Sequence, residues 1–100
     1  MDDAVFKALA DGTRRAILDE LVEHDGQTLF ELCTRLVARH GLTSSRQAVS
    51  QHIAVLEQAG LVTVHREGRY TFHHVDTSPL TAITERWPHR KAGPPCPASP

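Results

Sequence analysis

Arg46, Gln47, Ser50 and Gln51 put four long or adaptable hydrogen-bonding side chains into six consecutive residues. Wound on a helix at roughly 100° per residue, they share one half of the surface with Ala54, Glu57 and Gln58. Val49, Ile53 and Leu56 form an apolar stripe on the other half, with Ala48 and Val55 beside it. A solvated helix face usually carries Glu–Lys pairs, whereas the first two turns here carry no acid. Gln can pair bidentately with an adenine edge, and Arg and Ser reach either base edges or phosphates. The chemistry indicated is the reading of base edges in a major groove. Ser44, Ser45, Arg46, Gln47, Ser50 and Gln51 are the candidate contacts, with Gln47 and Gln51 as base readers and Arg46 on a phosphate. His52 falls between the two faces and reads as a packed, hydrogen-bonded histidine.

The reading helix has local start and stop signals. Ser44-Ser45-Arg46-Gln47 has the Ser-x-x-Gln spacing of a capping box, and Gly60 supplies the C′ position. Ahead of it, residues 2–10 read as a short helix with Val5, Phe6 and Leu9 on one side. Asp11-Gly12 is a break, and Thr13–His24 is a second helix with Ile17, Leu18, Leu21 and Val22 at core spacing. Thr28 and Glu31 form a second capping box that opens a third helix, to about His40, with Leu29, Leu32, Cys33, Leu36 and Val37 as its buried stripe. After Gly60 the apolar period changes to two. Leu61–His65 and Arg69–Val75 read as strands about a turn at Glu67-Gly68, and Arg66 and Arg69 flank that turn. Pro79 opens a last helix that carries Leu80, Ile83 and Trp87, and Pro88 stops it. A two-stranded sheet does not stand alone in water. The hairpin must lie against the helices, and the order implies a mostly α fold with a two-stranded β-hairpin, a winged helix-turn-helix. One hundred residues allow one domain, placed at 1–90, with 91–100 as a disordered Pro-rich tail.

Net charge is −1, which gives no global basic footprint. The distribution is uneven. Residues 1–31 hold eight acids against Lys7, Arg14 and Arg15, whereas residues 32–75 hold five arginines against Glu57 and Glu67. The positive charge therefore gathers around the reading helix and the hairpin, where phosphate contacts are needed. Arg66 and Arg69 are expected on the backbone or in the minor groove. Cys33 and Cys96 belong to no Cys-x-x-Cys pair, and no leader or membrane-spanning run is read, so a reduced, cytoplasmic setting is expected. No catalytic Ser-His-Asp or Cys-His grouping and no phosphate loop is suggested, which excludes an enzyme. A winged helix used only for protein interaction would expose Leu or aromatic residues on the reading face; this one exposes Arg, Gln, Ser and Gln.

Phe6-Lys7-Ala8-Leu9-Ala10-Asp11 followed by Thr13-Arg14-Arg15-Ala16-Ile17-Leu18 resembles the opening of the ArsR/SmtB family of bacterial repressors. Ala48–Ile53, Val55–Val62 and the wing Arg66–Tyr70 are similar to the same family, so the resemblance spans roughly residues 4–87. It implies a homodimer that binds an inverted-repeat operator in double-stranded DNA as a transcriptional regulator, usually a repressor. It also implies dimer contacts from the first and last helices, here Val5, Phe6, Leu9, Leu80, Ile83 and Trp87; Trp is a frequent interface anchor. The chain departs from the family between Leu36 and the reading helix, where it is about six residues longer, lengthening the third helix by about one turn.

Metal sensors of the family often carry two cysteines, one residue apart, after Glu-Leu. Here Cys33 follows Glu31-Leu32, but Arg35 stands in the second place. The family's other site, laid on from Asp76, finds Ser78 for a histidine, then His89, then Ala92 for a glutamate. His65 and His73, on one outer face of the hairpin, form a further candidate pair for nickel, zinc or copper. No cofactor is expected. A divalent transition metal is the alternative, and Cys33, His65, His73, Asp76 and His89 are the residues that would hold it. A partner protein that supplies the sensing is the other alternative.

Overall fold

The computed structural model describes residues 2–90; the expected tail, together with Ala92 and Cys96, lies outside the described residues. The helices are α1 (Asp2–Leu9), α2 (Gly12–Glu23), α3 (Leu29–His40), α4 (Arg46–Gln58) and α5 (Thr81–Arg86). The strands are β1 (Gln27–Thr28), β2 (Val62–Glu67) and β3 (Tyr70–Val75), and one 3₁₀ turn, Ser78–Leu80, precedes α5.

Side chains at the helix starts satisfy the orphan N–H groups. Asp11 Oδ1 accepts from the Thr13 and Arg14 amides at 2.8 and 3.1 Å. Thr28 Oγ1 accepts from Glu31 N at 3.2 Å while Glu31 Oε1 accepts from Thr28 N at 2.8 Å, completing the box expected there. At α4 the cap sits one residue later than the spacing suggests. Ser45 Oγ accepts from Ala48 N at 3.1 Å, so the position that would close a box is alanine and Ser44–Gln47 forms none. Gly60, at φ +78°, ends the helix, with Gly60 N bonding Glu57 O and Leu61 N bonding Leu56 O, a Schellman pair.

The core is one cluster drawn from every layer: Val5 and Ala8 of α1, Ile17 and Leu21 of α2, Leu32 and Leu36 of α3, Val49, Ile53 and Leu56 of α4, then Leu61 and Val62. Cys33 packs against this cluster and is half-buried. Two residues assigned to the core are not in it. Val22 is 64% exposed and Val37 51% exposed, because each lies at the edge of its stripe, on the side turned from the cluster.

The hairpin has a third strand. β1 pairs antiparallel with β3, Gln27 opposite His73 and Thr28 opposite Phe72, giving the order β1-β3-β2. β2 begins one residue later than expected and runs on to Glu67, which faces Tyr70 across a Gly68-Arg69 turn. The last helix is shorter than expected. The chain makes a 3₁₀ turn through Leu80, and Trp87 already lies past the end of α5.

Candidate nucleic-acid interface

α4 is held by its apolar stripe, with Val49, Ile53 and Leu56 buried among α1, α2, α3 and β2. The opposite half is open. Arg46, Gln47, Ser50 and Gln51 are all exposed, and the first turn carries no acid. Ser44 and Ser45 are exposed at its start, Ser45 with its hydroxyl engaged in the cap. Arg66 and Arg69 are exposed on the wing, Arg66 on β2 opposite Thr71 and Arg69 in the turn. The fold brings Arg46, Ser50 and Arg69 to one cleft between α4 and the wing.

Two clusters that periodicity does not reveal position this face. Arg14 Nε donates to Ala8 O at 2.8 Å, its Nη2 to Lys7 O at 3.1 Å, and its Nη1 lies 3.1 Å from His52 Nδ1. A guanidinium only donates, so His52 Nδ1 accepts. One side chain thus ties the end of α1 to the middle of α4, and His52 is the hydrogen-bonded histidine that its position between the faces suggests. The second cluster is centred on Glu20, 1% exposed on α2. Its carboxylate meets Arg35 at 3.4 Å, Arg39 at 3.2 Å and His40 at 2.9 Å, and Arg39 also reaches Glu23 at 2.7 Å. These pairs clamp the last turn of α3 onto α2. The available signal was an acid three residues after Ile17, beside the α2 stripe, with a basic turn at the end of α3.

The candidate metal ligands do not converge. Among the described residues no group of three His, Cys, Asp or Glu side chains is arranged to hold an ion. His65 pairs with Phe72 and lies 6.0 Å, ring to ring, from both Phe72 and His74. His73, one position further along β3, faces the other side of the sheet and is buried, so His65 and His73 share no face. Asp76 accepts from Ser78 N at 2.9 Å, a bond that holds its carboxyl below the usual range, and His89 is exposed beyond the end of α5. Burial pushes the Cys33 thiol up, with the nearby Arg46 charge opposing, so ligation by thiolate is disfavoured.

The six residues named for a dimer contact divide. Val5 is buried in the chain's own core and has little surface to offer, whereas Phe6, Leu9, Leu80 and Ile83 are half-buried. Trp87 is 58% exposed, with its ring 6.0 Å from that of Phe6 and Arg86 stacked 4.6 Å above it.

Residues 9–65 match a protein family described as a helix-turn-helix domain. HTH-type transcriptional regulator YuzN of Bacillus subtilis is 48% identical over 85 residues, covering 85% of this chain and 92% of that protein. The chain belongs to the ArsR family of winged helix-turn-helix transcriptional regulators. Transcriptional repressor SdpR of the same organism is 34% identical over 76 residues, covering 76% of this chain and 77% of that protein. An ArsR-like transcriptional regulator from Rhodococcus sp. RHA1 superposes with a TM-score of 0.73 at 33% identity, covering 85% of this chain and 72% of that one. This ArsR-family chain is a DNA-binding regulator and not an enzyme. No helix among its described residues is long and apolar enough to cross a membrane.

Proposed function

We propose that the chain is a homodimeric repressor that recognises an inverted-repeat operator. The observation that carries this reading is the open half of α4, where Arg46, Gln47, Ser50 and Gln51 stand exposed with no acid in the first turn. Gln47 and Gln51 read base edges in the major groove, Ser44, Ser45, Arg46 and Ser50 contact bases or phosphates, and Arg66 and Arg69 meet the backbone beside the wing. The partly exposed apolar surface of Phe6, Leu9, Leu80, Ile83 and Trp87 supports pairing through α1 and α5. Two copies related by a dyad then set two α4 helices one turn of DNA apart, about 34 Å. Kinship with the repressor SdpR supports repression. We read the signal as one other than a metal, because Arg35 stands where a second cysteine would join Cys33 and because His65 and His73 lie on opposite faces of the sheet. The setting is cytoplasmic.

Footprinting on the upstream region of its own gene, paired with sedimentation, tests the reading. Two symmetric protected half-sites and a dimer mass are expected, unchanged by chelator or by added zinc, nickel or copper. A single unsymmetric half-site bound by a monomer overturns the dimeric operator. A tenfold change in affinity with metal, about 1.4 kcal/mol of coupling, overturns the metal-independent part.

A further inference from the structure

The cleft that gathers Arg46, Ser50 and Arg69 has a volume of about 530 Å³, with walls from the start of α3, the start of α4 and the wing. None of its lining residues is an acid, and among the described residues neither guanidinium pairs with one. Phe30 and Tyr70 line the same cleft. Phe30 is 66% exposed and Tyr70 59% exposed, and neither is part of the core cluster. Phe30 sits in the first turn of α3, inside the Thr28–Glu31 capping box, so its place is set by the cap and not by burial. The Tyr70 ring lies 6.2 Å from that of Phe72, its neighbour but one on β3. Contacts to DNA phosphates use the arginines and leave the two rings without a task. Large aromatic side chains left in water beside fixed charges in a concave site mark a ligand with an apolar body and a charged head.

We propose that this cleft binds a small planar aromatic acid, and that the bound acid keeps the chain off DNA. The ring of the ligand lies against Phe30 and Tyr70, since aromatic pairs add to the gain from burial. Its carboxylate takes paired N–H donors from a guanidinium, a geometry that matches a planar acid, and Ser50 adds a hydroxyl. The volume suits one or two fused rings, because small-molecule sites run from about 300 to 1,000 Å³. Neither half of such a ligand is enough. A bare anion leaves the rings in water, and a neutral ring leaves the guanidiniums without a counter-charge. Arg46 and Ser50 belong to the open half of α4, so an occupied cleft covers part of the reading face. Acid and duplex then exclude each other, and the acid acts as the inducing signal. This exclusion rests on the DNA reading of α4, whereas binding of the acid does not.

The test is calorimetric titration of the full chain with naphthoate at constant ionic strength, with NMR of the ring of Tyr70, the chain's one tyrosine. Saturable binding that shifts the Tyr70 ring signals is expected. Cyclohexanecarboxylate, which keeps the charge without the aromatic ring, and naphthalenemethanol, which keeps the ring without the charge, are each expected to bind at least tenfold more weakly. Phe30→Ala combined with Tyr70→Ala, both at exposed positions, is expected to weaken naphthoate at least tenfold with an unchanged circular dichroism spectrum, and Arg46→Gln combined with Arg69→Gln to do the same. Anisotropy of a labelled duplex from the upstream region of the chain's own gene then measures exclusion. With free naphthoate at ten times its dissociation constant, duplex affinity is expected to fall about tenfold, by mass action. Naphthoate bound by a chain that fails to bind duplex upholds the site and removes the DNA reading. Duplex affinity unmoved by saturating naphthoate overturns the inducing role. No saturable naphthoate binding, equal binding of all three compounds, or tighter binding of adenosine monophosphate overturns the aromatic-acid site and leaves the DNA reading standing.

Discussion

Replacing Arg14 by alanine removes the side chain that joins α1, α2 and α4. Three hydrogen bonds go with it, at 2.8, 3.1 and 3.1 Å, to Ala8 O, Lys7 O and His52 Nδ1. A bond to a charged donor contributes about 1.5–3 kcal/mol when well buried and about 1 kcal/mol when water competes. Arg14 is half-buried, so the lower figure applies, and the sum is about 3 kcal/mol. Arg15 is the internal control: it makes one bond, to Leu9 O at 2.6 Å, at an exposed position, and its removal costs under about 1 kcal/mol. Urea unfolding at fixed protomer concentration measures both, the concentration being held because dimer formation adds to apparent stability. Arg14→Ala is expected to shift the midpoint at constant slope by about three times as much as Arg15→Ala. A double-mutant cycle with His52→Ala is expected to return a coupling of about 0.5–1.5 kcal/mol. Equal losses for Arg14→Ala and Arg15→Ala, or no coupling to His52, would refute the clamp.

Gln51→Ala is expected to weaken operator binding by about 1–3 kcal/mol and relax preference at one base step; equal loss on operator and random DNA denies it a reading role. Trp87→Ala is expected to weaken the dimer in sedimentation while leaving the urea midpoint of the monomer within about 1 kcal/mol, since Trp87 is largely exposed; an unaltered dimer places the interface elsewhere. Asp11→Ala removes the α2 cap and is expected to cost about 1 kcal/mol near neutral pH. The Arg14 amide foremost, with the Thr13 amide and the positive charge of Arg14 adding to it, holds the Asp11 carboxyl below its ordinary 3.8 against the opposing effect of burial. A depressed folded value stabilises above the unfolded value and is lost on acidification, so the gap between the two proteins closes as pH falls below about 4. A gap that widens on acidification contradicts the cap.

What the chain reveals on reading depends on the distance over which each feature is determined. The Thr28–Glu31 box and the Gly60 stop are written within four residues and appear where the spacing puts them. The α4 cap slips by one because two serines stand side by side and only backbone geometry chooses Ser45. β1 is two residues with no periodicity, and its partner β3 lies more than forty residues on, so no local pattern announces it. The last helix shortens because Thr81 Oγ1 bonds Ser78 O and Thr84 Oγ1 bonds Thr81 O, local alternatives that favour tight turns over a long helix. The exposed face of α4 was legible from types and spacing alone. The Arg14–His52 contact and the Glu20 cluster were not, because their partners meet only once three helices have packed.

The central claim is that the exposed half of α4 reads sequence. The most direct test is a binding titration at one fixed salt concentration, comparing a duplex from the upstream region of the chain's own gene with a shuffled duplex of equal length and composition. A preference of about a thousandfold or more for the native duplex, lost in Gln47→Ala with Gln51→Ala, is the expected result. Equal affinity for the two duplexes, with or without those glutamines, would show that the chain holds DNA by charge alone and that the reading helix does not read.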